Sequence, residues 1–343
     1  MHKILYEDCL QIIKDNDVEK LRNKSFLITG ASGMLGSYIV NVLRVLNSDY
    51  DMDIKLLLNV LDKKYLSDEV LNEKNVTIIE QNVCEPFKID GPVDYIVHAA
   101  SPASPKIMKD YPFETNAANT IGTYNTLMLA KEKNASGYLF VSSREIYGEP
   151  MEGVSVFTED GLLGQVNPLV PRNGYAEGKK AAENMCVGMH DEYGINTKIV
   201  RLAHTYGPGM SINDGRVQAD FLKNVINNQD IIMKSDGSSI RTYTYVSDSV
   251  NGIFKVLLSS KDIVYNISDD KEISIKGLAE TLVELSDNSK LVMEIDDTLA
   301  KGSASFKRGI LSNEKIKKEL NWYPKYDVKE GFRRTIEYLK DVK

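Results

Sequence analysis

Hydrophobic residues follow two alternating patterns along most of the chain. Short apolar runs predict buried parallel strands, and they cover residues 24–30, 54–61, 75–80, 95–98, 137–142 and 197–201. Between several of these runs apolar residues recur at helical spacing, which predicts helices at residues 34–46, 119–132 and 175–193. Strands that alternate with helices of this length are typical of an α/β protein with a doubly wound parallel sheet.

The two ends of the chain depart from this alternation. Apolar residues at helical spacing within residues 3–22 predict a helix that packs on the edge of the domain. After about residue 205 the loops become polar and rich in glycine, and helices mix with short strands. We therefore expect a helical extension at residues 1–23, a main α/β domain at 24–205 and a smaller lobe at 206–343, with some segments of that lobe returning to the sheet.

Composition and charge exclude several classes of protein. The 343 residues are 42% apolar and 27% charged, which is ordinary for a soluble globular protein. The net charge of -7 argues against a nucleic-acid partner, because a phosphate-tracking surface needs a basic excess. No apolar run approaches the length of a membrane span, and Met1–Asp8 lacks a signal-peptide pattern.

The three cysteines, Cys9, Cys84 and Cys186, are odd in number, far apart and without metal-ligand spacing. This usage indicates a reducing compartment. We therefore expect a cytoplasmic protein that contacts no membrane and binds no metal.

A glycine-rich turn, Gly30-Ala-Ser-Gly33-Met-Leu-Gly36, follows the first predicted strand and opens the first predicted helix. Gly30 permits a tight turn, Gly33 lets the backbone approach a pyrophosphate, and Gly36 lets helix and strand pack closely. The helix N-terminus offers amide donors to phosphates. Because strand and helix flank the glycines, the motif predicts a Rossmann-type dinucleotide site rather than a turn that needs glycine only for its dihedral angles.

The end of the second predicted strand bears on the choice between NAD and NADP. Asp62 is placed to accept hydrogen bonds from ribose hydroxyls, which favours NAD. Lys63 and Lys64 could instead bind a 2′-phosphate, although such a pair more often lies in a solvated loop. We expect NAD.

Tyr175 and Lys179 are four residues apart, which places them on one face of a predicted helix. A phenol with a pKa of about 10 is a poor base at neutral pH, and a neighbouring ammonium is expected to lower that pKa. Ser142 and Ser143 end the fifth predicted strand, where open α/β sheets bind ligands. Together with the glycine turn, these residues predict a proton relay beside a dinucleotide.

From about residue 24 to residue 335 the chain resembles the extended short-chain dehydrogenase/reductases that modify nucleotide sugars, and is most similar to UDP-glucuronate decarboxylases and sugar-nucleotide 4,6-dehydratases. The motifs that carry the resemblance are Thr29-Gly-Ala-Ser-Gly-Met-Leu-Gly36, His98-Ala-Ala-Ser101, Asn119-Thr-Ile-Gly122, Ser142-Ser-Arg-Glu-Ile-Tyr-Gly148, Tyr175-Ala-Glu-Gly-Lys179, Arg201-Leu-Ala-His-Thr-Tyr-Gly-Pro208, Asn213-Asp-Gly-Arg-Val217, Arg241-Thr-Tyr-Thr-Tyr-Val-Ser-Asp248 and Leu320-Asn-Trp322-Tyr-Pro324.

The resemblance implies oxidation of the sugar at C4, with hydride passing to NAD. Tyr175 would take the proton of the C4 hydroxyl, Lys179 would hold the nicotinamide ribose and tune Tyr175, and Ser143 would bridge Tyr175 and the C4 oxygen. The resulting 4-keto sugar has an acidic C5 proton and a labile C5 carboxylate. The NADH that forms would reduce a later keto species, so that the cofactor is recycled.

The resemblance also implies a set of cofactor contacts and an assembly. The cofactor-binding residues would be Gly30, Ser32, Gly33, Met34, Leu35, Gly36, Asp62, Asn82, Val83, Ala99, Ala100, Ser101, Asn119, Ser142, Tyr175, Lys179 and His204. The substrate would be a nucleotide sugar, expected to be linked to UDP, bound mainly by the lobe at residues 206–343. A homodimer would form through the helix of Tyr175 and the helix at 119–132.

The pair Arg144-Glu145, which follows Ser143, separates the subclasses of this family. Glu145 occupies the position from which a proton is moved at C5. Arg144 stands where dehydratases have an acidic or polar residue, and its guanidinium is too weak an acid to help a hydroxyl leave. It could hold a carboxylate or carbonyl oxygen, which suits a glucuronate substrate, or point away and pair with a surface carboxylate.

Two arginines match family positions that bind the nucleotide diphosphate. Arg216 and Arg241 lie in glycine-flanked loop segments, and a planar guanidinium gives two-point contacts to phosphate oxygens. His204 stands where the family often has an Asn at the diphosphate, and it could donate from either ring nitrogen or be a core histidine. Val217 and Phe221 are expected on the substrate side as well.

Three functions of different classes remain open from the sequence. The first is C4 oxidation followed by a C5-directed step, most similar to UDP-glucuronate decarboxylation, with 4,6-dehydration as the variant. The second is a pure C4 oxidoreductase or 4-epimerase in which Glu145 is only structural. The third is a non-catalytic NAD-binding module, against which the intact Ser143, Tyr175 and Lys179 argue.

Overall fold

A seven-stranded parallel sheet lies at the centre of the computed structural model, which describes residues 1–161, 164–295 and 309–342. The strands within these ranges are β1 (Ser25–Thr29), β2 (Lys55–Val60), β3 (Val76–Glu80), β4 (Tyr95–His98), β5 (Gly137–Ser143), β6 (Glu149–Pro150), β7 (Val156–Phe157), β8 (Gly164–Gln165), β9 (Thr197–Leu202), β10 (Thr205–Tyr206), β11 (Ile231–Met233), β12 (Ile240–Thr242), β13 (Thr244–Tyr245), β14 (Val264–Ile267), β15 (Glu272–Ser274), β16 (Leu291–Met293) and β17 (Ile310–Leu311).

The central sheet has the strand order β14-β9-β5-β4-β1-β2-β3, and every neighbouring pair is parallel. All six predicted strands belong to it, so the predicted doubly wound α/β fold is confirmed. The chain runs outward from β1 to β3 and then returns to β4 on the other side of β1. This reversal opens a crevice at the carboxyl ends of β1 and β4, where ligands of such sheets bind.

The helices within the described residues flank this sheet. They are α1 (Lys3–Asp15), α2 (Met34–Tyr50), α3 (Asp68–Leu71), α4 (Pro105–Asp110), α5 (Pro112–Lys133), α6 (Gly174–Tyr193), α7 (Val217–Ile226), α8 (Val246–Ser259), α9 (Ile275–Glu284), α10 (Glu314–Leu320) and α11 (Val328–Asp341). The three predicted helices lie within α2, α5 and α6. Single turns of 3₁₀ helix occur at Val18–Leu21, Lys63–Tyr65, Arg144–Tyr147 and Pro171–Asn173.

Apolar side chains cover both faces of the sheet. On one face α2 packs against β1 and α8 packs against β9, and this apolar layer includes Leu43 and Phe254. On the other face α5 and α6 pack together through residues such as Leu127 and Cys186. This three-layer packing holds the carboxyl ends of the strands, and the loops that follow them, in fixed relative positions.

The N-terminal segment and the C-terminal segments both join the main domain. Helix α1 occupies the predicted extension and packs against α2 and α8. Strand β14, which comes from beyond residue 205, pairs with β9 at one edge of the sheet. Segments after residue 205 therefore return to the sheet, and the domain boundaries given above stay a prediction.

Candidate active site

The glycine turn connects β1 to the start of α2. Gly30 adopts a φ of +67°, which favours glycine, and a Cβ there would lie 2.9 Å from the backbone of Ala100. A Cβ on Gly36 would lie 2.2 Å from the carbonyl oxygen of Gly30. Both positions therefore require glycine, and the first amides of α2, which have no partner within the helix, face the crevice.

A cleft of about 300 Å³ opens beside this turn. Fifteen residues that the sequence predicts for the site line it, namely Gly30, Gly33, Met34, Leu35, Gly36, Ala99, Ser101, Ser142, Ser143, Arg144, Glu145, Tyr175, Lys179, His204 and Arg216. Residues without a predicted role also line it, namely Ala103, Pro105, Met108, Val141, Arg172, Leu202, Ala203 and Thr205. The cleft thus brings the predicted cofactor turn and the predicted relay together.

Three predicted cofactor residues are Ser32 in the glycine turn, Asp62 after β2 and Asn82 after β3. Ser32 lines a neighbouring groove between α2 and the loop after β2. Asp62 accepts a hydrogen bond from the amide of Lys64 at 2.9 Å and forms an ion pair with the Lys64 ammonium, which lowers the Asp62 pKa. Asn82 accepts from the amide of Cys84 at 3.0 Å. Lys64 therefore contacts Asp62 rather than standing apart as a phosphate ligand.

The loop after β4 packs against α5. Ser101 donates a hydrogen bond to Asn119 Oδ1 at 2.8 Å, and the Asn119 amide donates to the Thr115 carbonyl at 3.0 Å. Ala100 lies directly against Gly30. Val83 is buried, and its carbonyl accepts from Asn125 at 2.9 Å. These contacts fix the wall of the crevice below the glycine turn.

The predicted proton relay assembles where β5 meets α6. Ser143 ends β5, and Tyr175 and Lys179 lie in the first turns of α6. The Lys179 ammonium donates to the Val141 carbonyl at 2.7 Å and lies 4.5 Å from the centre of the Phe140 ring. All three predicted groups line the same cleft.

Burial changes the pKa of both Tyr175 and Lys179. Burial raises the pKa of the Tyr175 phenol, although Ser143 and the charges of Arg216 and Arg172 act to lower it. Burial also lowers the pKa of Lys179 to about 7. The Lys179 ammonium is directed to the Val141 carbonyl and lies 5.8 Å from the centre of the Tyr175 ring, and its effect on the Tyr175 pKa stays a prediction.

Glu145 lies between two arginines. Arg144 Nη1 is 3.5 Å from Glu145 Oε1, and Arg172 Nη1 is 3.2 Å from Glu145 Oε2. Arg144 is only 6% exposed, and its burial lowers the pKa of the guanidinium. The alternative in which Arg144 points to the surface is therefore wrong, because the side chain lines the cleft. The sequence did not lead us to predict Arg172 as a site residue. Its position directly after Pro171, just before the helix of Tyr175, was the available signal.

The surroundings of His204 indicate which of its ring nitrogens carries the proton. Its Nδ1 lies 3.2 Å from the carbonyl oxygen of Thr242, which can only accept, so Nδ1 carries the proton. Burial, reinforced by the charges of Arg144 and Arg241, lowers the pKa of His204 to about 3. The remaining nitrogen, Nε2, is thus an acceptor, so donation to a diphosphate, which the sequence left open, would need a second proton on His204 and stays a prediction.

The two arginines predicted for the diphosphate lie on different elements. Arg216 lines the cleft, donates to the Ala103 carbonyl and lies 3.2 Å from Asp214. Arg241 lies on β12, and its charge acts on His204. Val217 begins α7, and Phe221 on the same helix is 7% exposed and packs in the main core. The structure therefore does not bring Phe221 to the cleft.

Ser142 lines the cleft and also contacts α6. Its hydroxyl donates to Glu183 on α6 at 2.5 Å, and its role as a cofactor contact stays a prediction. Within the described residues, no group of three or more His, Cys, Asp or Glu side chains is arranged to hold a metal ion. None of the described helices is long and apolar enough to cross a membrane.

Comparisons with known proteins agree with this geometry. The model of the NAD dependent epimerase/dehydratase family matches residues 26–268. UDP-glucuronic acid decarboxylase 1 of Xenopus tropicalis is 32% identical over 317 residues, which cover 92% of this chain and 72% of the relative. UDP-glucuronic acid decarboxylase 3 of Arabidopsis thaliana is 32% identical over 309 residues, covering 90% of this chain and 87% of the relative.

Solved structures share the fold. A UDP-glucose 4-epimerase from Thermotoga maritima superposes with a TM-score of 0.76 at 21% identity, covering 93% of this chain and 99% of the other. A dTDP-glucose 4,6-dehydratase from Bacillus anthracis, solved with NAD, gives 0.71 at 21% identity, covering 93% and 97%. A UDP-glucuronic acid 4-epimerase from Bacillus cereus, solved with UDP-glucuronic acid and NAD, gives 0.72 at 19% identity, covering 93% and 100%.

Proposed function

The chain belongs to the NAD-dependent epimerase/dehydratase family, and from that premise we propose that it oxidises a UDP-linked glucuronate at C4 and then decarboxylates it at C5. The buried position of Arg144 in the cleft, beside Glu145, carries this choice within the family. An arginine at this depth gives a carboxylate a charged, two-point partner. The curated relatives, which are UDP-glucuronic acid decarboxylases, support the same substrate.

The residues around the glycine turn fit NAD. The α2 amides and the glycines that leave room for a pyrophosphate would hold its phosphates, and Asp62 would face its ribose. When bound, NAD accepts hydride from C4 and later returns it. The chain itself positions this exchange, because Lys179 is fixed to the Val141 carbonyl in the floor of the cleft.

Ser143 and Tyr175 would move the proton. In this scheme the Tyr175 phenol exchanges a proton with the C4 oxygen, and Ser143 holds that oxygen beside it. Arg216 and Arg241 would bind the diphosphate, whereas the His204 Nε2 lone pair would accept a hydrogen bond from a substrate hydroxyl. The sugar would thereby be oriented with its C5 substituent toward Arg144 and Glu145.

Loss of CO₂ from the 4-keto acid requires no acid at C6. The electron pair of the C5–carboxylate bond would move into an enolate at C4 and C5, and C5 would then take a proton delivered from solvent. Tyr175 would return its proton to the C4 oxygen when C4 is reduced again. Elimination of water from C6 would instead need a proton donor beside Glu145, and a guanidinium does not serve as one. This difference favours decarboxylation over 4,6-dehydration.

A panel of nucleotide sugars tests the proposal. We expect the purified protein to release CO₂ from UDP-glucuronate, and mass spectrometry would detect the product. We expect no loss of water from UDP-glucose or dTDP-glucose. Arg144→Ser should raise the KM for UDP-glucuronate by about 10- to 100-fold, because a hydrogen-bonded charge contact contributes about 1.5–3 kcal/mol.

Other products would select other family activities. Loss of water from dTDP-glucose would contradict the proposal and favour a 4,6-dehydratase. Interconversion without change of mass would favour a 4-epimerase, and unchanged turnover in Glu145→Gln would then show that Glu145 is structural. An unchanged KM in Arg144→Ser would contradict the assignment of the carboxylate to Arg144.

The cytoplasmic location of the protein and the UDP group of its substrate stay predictions.

We also propose that the protein forms a homodimer through α5 and α6. Exposed apolar side chains follow one face of α5, at Phe113, Ile121, Tyr124 and Met128, and Val187 is exposed on α6. Helices α5 and α6 pack against each other, and these exposed residues are the candidate surface. A patch of this kind is typical of a protein interface.

Light scattering would test this assembly. We expect twice the mass of the chain for the unchanged protein, and the mass of one chain for the double variant Ile121→Glu, Tyr124→Glu. Ile232→Glu, at an exposed residue of β11, is the matched control and should keep the larger mass. A monomeric unchanged protein would contradict the proposal.

A further inference from the structure

A buried ion pair lies directly behind the proposed proton relay. Glu183 is one helical turn beyond Lys179 on α6, and its side chain is 10% exposed. Arg201 on β9 contacts it through two nitrogens, with Nε 3.1 Å from Oε1 and Nη2 2.7 Å from Oε2. Ser142 donates to Oε1 at 2.5 Å. Three elements, α6, β9 and β5, therefore meet at this one carboxylate.

The network continues to the turn that carries Arg144 and Glu145. Arg201 Nη1 donates to the Tyr147 hydroxyl at 2.7 Å, and Tyr147 is the last residue of the 3₁₀ turn Arg144–Tyr147. The Tyr147 hydroxyl also lies 2.9 Å from Asn266 Oδ1 on β14. The pair Glu183–Arg201 thus contacts two segments next to the relay. One is Ser142, which precedes Ser143, and the other is the 3₁₀ turn Arg144–Tyr147, which follows it.

Glu183 also supplies a negative charge that acts on Lys179, from one helical turn further along α6. The Lys179 ammonium faces the Tyr175 phenol and the Cys186 thiol on its own helix. From β5 it meets the Phe140 ring and the Val141 carbonyl, and from β4 it meets His98, which is neutral because burial lowers its pKa to about 3. Glu183 and the Cys186 thiol both favour the charged form of Lys179 against its burial, and of the two only Glu183 is a carboxylate.

We propose that Glu183 is a positioning residue for the relay: held by Arg201, it fixes the Ser142–Ser143 strand end to the Tyr175 helix and provides the charge against which the Lys179 ammonium is buried. This role rests on the proposed function, since it concerns the residues assigned to proton transfer. It has two separable parts, a geometric one through Ser142 and an electrostatic one through Lys179.

Glu183→Gln tests the electrostatic part, because glutamine keeps the shape and removes the charge. Burial lowers the pKa of Lys179 to about 7 and Glu183 opposes that shift, so its loss should lower this pKa by about one unit further. Lys179 would then lose its proton at lower pH. We expect the alkaline fall of kcat/KM to begin about one pH unit earlier and to reduce kcat/KM about tenfold above that point.

A titration that needs no substrate separates this inference from the proposed function. NMR of lysine-labelled protein, with Lys179→Met to identify the signal, reports protonation of Lys179 directly. A lower midpoint in Glu183→Gln supports the role even if the protein turns over no nucleotide sugar, which would contradict only the proposed function. An unchanged midpoint together with an unchanged pH profile would overturn the inference.

Two further variants address the geometric part and the risk of misfolding. Glu183→Asp keeps the charge and withdraws the carboxylate from Ser142, and Ser142→Ala removes the same bond from the other side. Both should lower kcat and leave the Lys179 midpoint unchanged. If Glu183→Gln does not fold, because Arg201 is left buried without its partner, these two variants still decide: unchanged kcat in both would overturn the positioning role.

Discussion

Turnover of the nucleotide sugar is expected to fall by about 10²- to 10⁴-fold when Tyr175 is changed to Phe, which is the range for loss of a positioned acid or base. The change removes only the hydroxyl, and the ring, 7% exposed, keeps its packing. Binding of NAD should persist, since the glycine turn and Lys179 are unaltered. Formation of NADH and of product in a single turnover, with calorimetry of NAD binding, would measure both effects.

Tyr193→Phe provides the control for this variant. Tyr193 ends the same helix, is 50% exposed and lies outside the cleft lining. We expect its removal to leave turnover unchanged. Full activity in Tyr175→Phe would show that the proton passes elsewhere. A complete absence of activity in the unchanged protein, with NAD still bound, would favour the non-catalytic NAD-binding module.

The central sheet was predictable because buried parallel strands leave a local signal. Each predicted strand is a short apolar run, and its alternation with the long helices α2, α5 and α6 predicted a parallel sheet but not the order of its strands. The start of α5 at Pro112 was missed because the residues after Pro112 are mostly polar or small. Proline at the first helical position was the signal that the apolar period did not show.

The short strands after residue 205 had no comparable signal. Strands β10 to β13 have two or three residues each and pair with partners far along the chain, such as β15 and β16. A segment of two or three residues is too short to show a periodic pattern of hydrophobic residues. Their positions follow from long-range packing, which hydrophobic pattern alone does not determine.

The candidate site was predictable where motifs fix the backbone and less so where charges meet in space. Gly30 and Gly36 are required by local geometry, so their spacing was sufficient. By contrast, Arg172, Glu183 and Arg201 look like ordinary charged residues along the chain, and only the fold buries two of them together. The protonation of His204 depends on a carbonyl of residue 242, on a different strand.

The N-terminal helix leads to a second large effect. Asp8 on α1 is fully buried and accepts hydrogen bonds from the hydroxyls of Tyr38 and Tyr245 at 3.0 and 2.9 Å, and from Arg334 at 2.8 Å. Tyr326 donates to it at 3.2 Å. Burial raises the pKa of Asp8, while Arg334 and the phenols act to lower it. One carboxylate thus connects α1 to α2, to β13 and to α11.

Asp8→Ala is expected to lower the free energy of unfolding by about 3–5 kcal/mol, because it leaves the buried Arg334 without this partner and three phenols without an acceptor. Denaturant unfolding would measure the loss as a lower midpoint at an unchanged slope. Arg333→Ala is the matched control: Arg333 is the next residue on the same helix, is half exposed, and pairs with Glu330 and Glu337. It should cost about 0–1 kcal/mol.

The double variant Asp8→Leu, Arg334→Met separates the charge from the packing. Removing both partners leaves no buried unpaired charge, so the loss of stability should be smaller than in Asp8→Ala, although Tyr38 and Tyr245 still lack their acceptor. Equal losses in Asp8→Ala and Arg333→Ala would mean that the buried carboxylate contributes no more than a surface pair. A double variant less stable than Asp8→Ala would show that the ion pair itself, and not the cost of an unpaired charge, holds α1 in place.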